Sequence, residues 1–274
     1  MLSSIHEGND RALARMKLFR QELATGVASL DDIPTLKQAH PYRGIVPIRA
    51  GGHDIVMFHA HDDIVVWEYL WRGDDGYEPE MVHKWSDWCR NAEGEVWDIG
   101  AYSGLMSILA ALSNPKNTVH LFEPLDRVIE RANINVKLNA LQARIARHAV
   151  ACSDVEGVAE IILYRDANFL GTGSSIETKG NLKQFGTRTI RTVALDSYLP
   201  KATPRVVKVD VEGHELSTLI GMQQILRRTR PNMLIEIWSK RRSDVMTLLH
   251  DLGYRLERVE DRDRAVNNYF ATPV

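Results

Sequence analysis

The most informative stretch of this sequence is an acidic turn with two glycines, VWDIGAYSG (96–104), at the end of an apolar run. In it, Asp98 is followed by Gly100, Ser103 and Gly104, and a helical pattern begins directly afterwards. Glycines let the backbone approach a ligand closely, and the N-terminus of a helix presents free N–H groups. Dinucleotide-binding turns have a glycine at the position of Asp98 because they cradle a pyrophosphate. A carboxylate at that position repels phosphate and attracts cations.

These features favour S-adenosylmethionine as the ligand, since it carries a sulfonium and an ammonium group but no phosphate. The turn alone is also compatible with a strand-to-helix connection that binds nothing. A second acid supports the ligand hypothesis. The run TVHLFE (118–123) ends in Glu123, 25 residues after Asp98, where doubly wound folds place the acid that binds the ribose hydroxyls. Pro124 then ends the strand.

A third acidic group follows a later apolar run, in KVDVEGHE (208–215). Ligands of open α/β sheets bind outside the carboxyl ends of the strands, so Asp210 is expected to face the methionine end of the cofactor and the methyl acceptor. Methyl transfer to a hydroxyl releases a proton, which a nearby base can accept. His214 is the first candidate for this base and Glu236 the second, and Asp210 and Glu212 are further carboxylate candidates. A solvated residue in the first turn of a helix is the competing interpretation of His214.

The elements that would position these residues alternate along the chain. Seven apolar runs have the length of strands: EVWDIG (95–100), TVHLFE (118–123), RIARHAV (144–150), RVVKVDV (205–211), MLIEIW (233–238), YRLERVE (254–260) and NNYFAT (267–272). Helical patterns separate most of them, at 102–113, 125–139, 213–227 and 239–252. This alternation predicts βαβ units and a mainly parallel sheet. The last two runs are separated only by DRDRAV, too short for a crossover helix, and are expected to pair antiparallel.

The predicted fold is therefore α/β. We expect a Rossmann-like, seven-stranded methyltransferase sheet, mostly parallel with the last strand antiparallel, and helices on both faces. Residues 1–55 are expected to form a helical and strand extension, and 56–274 the methyltransferase domain, with its cofactor-binding core at 94–274. A break in the alternation predicts an inserted hairpin at about 157–195, around a Gly/Ser stretch that is expected to lie on the substrate side.

Composition narrows the classes of function. The chain has 274 residues, with 34 Lys and Arg against 36 Asp and Glu. This balance argues against a protein that grips a long nucleic acid, so no stable nucleic-acid binding is expected. Two cysteines cannot form a disulfide framework or a four-cysteine zinc site. The first residues lack the apolar core of a signal peptide, and no apolar run is long enough for a membrane span, which predicts a cytoplasmic protein without membrane contact. The oligomeric state is not readable from the sequence.

Several blocks, read in order, resemble the FkbM-type methyltransferase family over about residues 55–274. The blocks are HDDIVVWEYLWRGDDGYEPEMVHKW, VWDIGAYSG, LFEPLDRVIERANINVKLN, VALDSYL, RVVKVDVEGHELSTLIGM and RPNMLIEIW. The resemblance implies an enzyme that uses S-adenosylmethionine, most often to O-methylate a hydroxyl of a sugar, a polyketide or another secondary metabolite. The acceptor would be a small molecule. Together with the acidic turn, the resemblance predicts these cofactor-binding residues: Asp98, Gly100, Ser103, Gly104, Glu123, Pro124, Ala151 and Asp210.

The resemblance also bears on residues outside that set. Asn135 and Asn139 match two helix asparagines, to which we assign a structural role. The block at the end of the fourth strand matches at Lys208, Asp210, Glu212, Gly213 and Glu215. Family members often have a histidine at the position of Trp238, so no role of that histidine transfers to this chain.

No metal site is expected. The run HAHDD places His59, His61, Asp62 and Asp63 at metal-like spacing, but no convincing second cluster accompanies it. Three other functions stay open: a methyltransferase for nucleic acid or protein, a nicotinamide-dependent oxidoreductase, and a binding module without turnover. The first of these is weakened because base-methylating enzymes usually carry Asp/Asn-Pro-Pro-aromatic where this chain has DVEG. The second is disfavoured by Asp98 in the turn.

Overall fold

A seven-stranded sheet forms the centre of the computed structural model, which describes residues 2–74, 76–165, 168–171, 173–259 and 264–274. The strands of these residues are β1 to β12, in chain order Gly44–Ala50, His53–His59, Glu95–Ile99, Thr118–Phe122, Ile145–His148, Ala151–Cys152, Gly157–Leu163, Gly186–Val193, Pro204–Val209, Asn232–Trp238, Tyr254–Arg258 and Val266–Pro273. The helices are α1 to α10, in chain order Leu2–Ala24, Ile33–Ala39, Ile64–Arg72, Pro79–Asn91, Leu105–Ser113, Asp126–Leu138, Leu195–Tyr198, Glu215–Ile220, Gln223–Thr229 and Arg242–Asp251. None of the described helices is both long and apolar enough to cross a membrane.

The central sheet has the strand order β11-β12-β10-β9-β3-β4-β5. Neighbouring strands run parallel, except that β12 is antiparallel to both β10 and β11. The α/β fold predicted from the alternating pattern is therefore confirmed, with the last strand as the reversed one. The expected antiparallel pairing of the last two strands is confirmed as well.

An apolar core lies on each face of this sheet, because its central strands are buried on both sides. Successive residues of a strand point to opposite faces, and on β3 Val96 belongs to one buried cluster and Trp97 to the other. The first cluster includes residues of α1, α3, α4, α5 and α6. The second includes residues of α8, α9 and α10. Helices thus cover both faces, and the carboxyl ends of the strands are left to carry a site.

Two asparagines of α6 attach the N-terminal hairpin to the sheet. Strands β1 and β2 pair antiparallel. The side chain of Asn139 binds the backbone of Val56 twice, with Nδ2 donating to O (2.7 Å) and Oδ1 accepting from N (3.0 Å). Asn135 Oδ1 accepts from Phe58 N (2.7 Å), while its Nδ2 donates to Ser103 O (2.8 Å). The two asparagine side chains therefore pair with backbone N–H and C=O groups at the outer edge of β2, and Asn135 also holds the turn after β3.

The N-terminal extension shares its core with the rest of the chain. Buried residues of α1, β1 and β2 belong to the same apolar cluster as those of α5 and α6. Residue 55, the expected end of the extension, lies inside β2.

A second, small sheet carries the insertion. Strands β7 and β8 pair antiparallel, and β6 runs parallel to β8. The first two are the strands expected in the insertion at about 157–195, whereas β6 lies outside the strand runs seen in the sequence. Between β7 and β8 the chain returns to the central sheet, where residues 173–179, here called the strap, contact the segments after β9 and at the end of β10.

Candidate active site

A cleft of about 1130 Å³, including its open mouth, lies at the carboxyl ends of β3, β4, β9 and β10. Its wall contains most of the residues that the sequence singles out: Gly100, Ser103, Glu123, Pro124, Ala151, Asp210, Glu212, His214 and Glu236. The N-terminal segment adds Ile64, Val65 and Tyr77, which no sequence pattern places at the site. Such a concave, largely apolar wall with a few polar groups is typical of small-molecule sites.

Asp98 lies behind the cleft wall rather than in it. Its side chain is 0% exposed and accepts a hydrogen bond from Ser107 Oγ (2.7 Å). Lys208 Nζ lies 3.7 Å from the other carboxylate oxygen. Burial raises the pKa of Asp98, although Lys208 and Ser107 oppose the rise. The carboxylate that the sequence assigns to the cofactor thus binds protein groups and supports the turn from beneath. Gly104 also lies outside the wall and begins α5 with a φ of 89°.

Lys208 connects the cofactor turn, residues 100–104, to the end of β9. Its Nζ donates to Gly100 O (3.1 Å) and to Asp210 Oδ2 (3.0 Å). Burial opposes the charged form, but the carboxylates of Asp210 and Asp98 outweigh it and raise the pKa of Lys208. Gly100 is needed where the two segments meet, because its φ is 79° and a side chain would collide with the Asp210 carbonyl. The sequence signal for this ion pair is a lysine inside the apolar run RVVKVDV.

Glu123 stands at the end of β4 with both oxygens facing backbone donors. Oε1 accepts from Leu125 N (3.0 Å) and Oε2 from Tyr102 N (3.2 Å). Burial raises the pKa of Glu123 to about 7, and these N–H groups offset only part of the effect. A carboxylate has about four lone-pair sites, so it has capacity left for a ligand diol. Ala151 and Ile161 form part of an apolar wall beside it.

The opposite end of the cleft is acidic, with Asp210, Glu212 and Glu236 in its wall. Burial, together with the charges of the other two, raises the pKa of Glu236 well above its ordinary range. The pKa of Glu212 is raised by burial and by Asp210. Each of these two carboxyls also has one cationic or polar partner: Lys179 Nζ lies 2.6 Å from Glu212 Oε2, and Trp238 Nε1 donates to Glu236 Oε1 (3.0 Å).

His214 is buried, with 9% of the residue exposed, and is not the solvated residue of the competing interpretation. Its Nε2 lies 2.9 Å from Ser153 Oγ and its Nδ1 lies 3.2 Å from Glu177 Oε1. Ser153 Oγ also bonds Asp154 Oδ1. Both ring nitrogens of His214 thus have a protein partner, and His214 itself lies in the cleft wall.

The strap lies against the acidic end of the cleft. Ser175 Oγ donates to Glu212 O (2.6 Å), and Ser175 also bridges to Ile162 of β7. Lys179 Nζ donates to Gly173 O (2.9 Å) and lies 4.3 Å from the centroid of the Trp238 ring. Together with Glu177 at His214, these contacts join the insertion to the turn after β9. Part of the Gly/Ser stretch expected on the substrate side thus lines the cleft.

The HAHDD run serves the fold in this structure. Asp62 accepts hydrogen bonds from Arg131 and Arg127, both at 2.8 Å. Asp63 caps the start of α3. Burial lowers the pKa of His59 to about 3. In the described parts of the chain, no group of three or more His, Cys, Asp and Glu side chains is arranged to hold a metal ion.

Comparison with known proteins gives one family and several similar chains. The model of the FkbM methyltransferase domain matches residues 98–256. A relative in Haloferax volcanii, the hexuronic acid methyltransferase AglP, is 28% identical over 136 residues, which are 48% of this chain and 51% of that protein. The chain therefore spans about half the length of this curated relative.

Two solved structures are similar at low sequence identity. The FkbM methyltransferase from Methylobacillus flagellatus has a TM-score of 0.48 and 17% identity, over 75% of this chain and 52% of that chain. A SAM-dependent methyltransferase from Agrobacterium tumefaciens has a TM-score of 0.48 and 13% identity, over 84% of this chain and 70% of that chain.

Proposed function

Because this chain belongs to the FkbM methyltransferase family, we propose that it transfers the methyl group of S-adenosylmethionine to a hydroxyl of a sugar. The observation that carries the proposal is a single cleft with Glu123 and an apolar wall at one end and three acidic side chains at the other. The relative named for hexuronic acid favours a sugar over a polyketide as the acceptor. The acceptor that we propose is a small molecule, because the strap and the strand ends together line a cleft of limited size around the acidic residues.

The described residues fit this cofactor. Glu123 has lone pairs left for the two ribose hydroxyls, and the apolar wall around Ala151 suits an adenine ring. Ser103 Oγ lies buried in the wall without a hydrogen-bond partner among the described residues. Gly100 lets a ligand approach the backbone closely. When bound, the cofactor supplies an electrophilic methyl group beside the acidic residues.

Asp210 is the residue that we assign to the proton of the acceptor. Lys208 Nζ lies 3.0 Å from Asp210 Oδ2 and stabilises the negative charge of Asp210, and 26% of the Asp210 side chain is exposed. Asp210 would accept the proton that the hydroxyl loses when it is methylated, and the cleft would contribute by holding the acceptor and the cofactor in line. Glu236, whose pKa burial raises well above its ordinary range, is assigned a hydrogen bond to the sugar. His214, bound at both nitrogens, positions the strap.

Calorimetry tests the cofactor. S-adenosylmethionine is expected to bind and NAD is not. Glu123→Ala is expected to weaken binding about 10- to 150-fold, because hydrogen bonds to charged groups contribute about 1.5–3 kcal/mol. Glu160→Ala, which removes an exposed carboxyl of β7, is the matched control and should leave the affinity unchanged. Tighter binding of NAD than of S-adenosylmethionine would overturn the proposal.

Release of S-adenosylhomocysteine tests the acceptor and the chemistry. Sugars, including hexuronic acids, are expected to support turnover, and nucleic acids and proteins are not. Turnover should persist in excess EDTA, and Asp210→Asn should lower kcat about 100-fold or more at saturating cofactor. Activity lost in EDTA and restored by Mg²⁺ would contradict a metal-free mechanism. Full activity of Asp210→Asn would mean that His214, Glu212 or solvent accepts the proton instead.

A further inference from the structure

Three buried oxygen atoms at the back of the cleft lack a hydrogen-bond partner in the described part of the chain: Asp63 Oδ2, Ser103 Oγ and Asp98 Oδ1. The last of these has the Lys208 cation 3.7 Å away, whereas the first two face each other. Both residues are buried, with 0% of Asp63 and 1% of Ser103 exposed. A buried polar atom without a partner destabilises a fold and calls for an explanation. Ser103 belongs to the cleft wall, and so does Ile64, the residue after Asp63. Ser103 Oγ thus lies where a bound ligand could reach it, with the Asp63 carboxyl beside it.

The start of α3 holds the Asp63 side chain in place. Its Oδ1 accepts hydrogen bonds from two backbone N–H groups of the first helical turn, at 3.0 and 3.2 Å, as the side chain at a helix start commonly does. The turn that carries Ser103 is held against the same segment, since Ile64 N donates to Tyr102 Oη (3.4 Å). One carboxylate oxygen is therefore committed to the helix, and the other remains for Ser103.

The charge of Asp63 decides which ligand group suits this place. Burial raises the pKa of Asp63 to about 6, and the Ser103 hydroxyl beside it opposes the rise. Near pH 7 the group is thus mostly a carboxylate. Arg131 also lowers that pKa, but both of its terminal nitrogens bind Asp62, and burial keeps His59 neutral by lowering its pKa to about 3. A negative charge behind Ser103 attracts a cation to this part of the wall and repels an anion.

The cation that fits is the α-ammonium group of the methionine part of the cofactor. Asp98, the acid that the sequence assigns to it, lies behind the cleft wall, where Ser107 binds one of its oxygens and the Lys208 cation, 3.7 Å from the other oxygen, offsets its charge. We propose that Asp63 is a positioning residue for this ammonium: it accepts the hydroxyl hydrogen of Ser103, and the Ser103 oxygen accepts an N–H from the ammonium. The inference rests on the proposed function, since it requires S-adenosylmethionine in the cleft.

Binding of three adenosine ligands to the purified protein tests this arrangement. S-adenosylhomocysteine has both the ammonium and the carboxylate, decarboxylated S-adenosylmethionine keeps only the ammonium, and 5′-methylthioadenosine has neither. By calorimetry, Ser103→Ala is expected to weaken the first two about 10- to 150-fold and to change the third less than about twofold. Asp63→Asn keeps an oxygen for the helix cap but loses the charge, so it should act in the same direction. Ser113→Ala, at the far end of α5, is the control.

Each outcome decides between distinct possibilities. Equal weakening of all three ligands would overturn the inference, because the effect would then be a general distortion of the cleft. Weakening of S-adenosylhomocysteine alone would also overturn it, since Ser103 would then bind the carboxylate. If Asp63→Asn fails to fold in a thermal unfolding test, Ser103→Ala still decides. If the wild-type protein binds neither S-adenosylhomocysteine nor S-adenosylmethionine, the proposed function itself is wrong.

Discussion

Replacing Glu123 by Gln tests the electrostatics of the cleft without any ligand. Burial raises the pKa of Glu123 from 4.5 to about 7, so the folded protein binds this proton more tightly than the unfolded chain does. Its contribution to stability is therefore complete below the unfolded pKa and is lost as the pH rises through the folded one. Between about pH 5 and pH 8.5, linkage gives a loss of about 2.5 kcal/mol in the free energy of unfolding. A Gln side chain does not titrate, so the variant should lack this loss.

The measurement is urea unfolding of both proteins at the two pH values. A Gln side chain has one acceptor oxygen where the carboxyl has two, so the variant loses some stability at every pH. This loss is the same at both pH values, and it cancels when the stability difference between variant and wild type is compared at the two pH values. That difference should shift by about 2.5 kcal/mol in favour of the variant at the higher pH. Glu160→Gln, at an exposed position, should show no such shift. Equal pH dependence in the wild-type protein and Glu123→Gln would refute the reasoning and the assigned burial of this carboxyl.

Three other substitutions test buried contacts elsewhere in the fold. Asn135→Ala should lower the free energy of unfolding by about 1–4 kcal/mol, since it leaves a partly buried N–H and a buried C=O unpaired; urea unfolding of Asn133→Ala, on the same helix, should show a loss under about 1 kcal/mol. Burial lowers the pKa of His148 from 6.5 to about 4, so the wild-type protein loses stability as the pH falls through this range, and His148→Phe should lose less in thermal unfolding; an equal loss would contradict this. Lys179→Met removes the ion pair with Glu212 and should speed limited proteolysis between β7 and β8, whereas an unchanged cleavage rate would mean that this pair does not hold the strap.

The central sheet and the cofactor turn could be predicted because their signals are local. Apolar runs of strand length mark β3, β4, β9 and β10, and the glycines of the turn stand where the backbone takes positive φ. Glu123 is found from its place at a strand end alone. In each case the residues that determine the local structure are neighbours in sequence, so a single sequence pattern is enough to predict the element or the turn.

Contacts between distant segments could not be predicted in this way. Asp98 has the type and place of a cofactor ligand, and no pattern shows that Ser107 binds one of its oxygens and that Lys208 lies 3.7 Å from the other. His214 contacts Glu177, which the strap between β7 and β8 brings to the end of β9. The N-terminal part of the cleft wall includes Ile64, an apolar residue that carries no chemical signal of its own.

The attachment of β2 to α6 by asparagine side chains sets an order in time when the chain is synthesised. The hairpin of β1 and β2 is complete at residue 59, but Asn139, which binds the backbone of Val56, lies 83 residues beyond Val56. At about 5–20 residues per second, the ribosome needs roughly 4–17 s to make that stretch. During this interval the outer edge of β2 has no partner, and such an edge can pair with a strand of another chain. A chaperone that binds nascent chains would therefore protect this protein most before α6 leaves the ribosome.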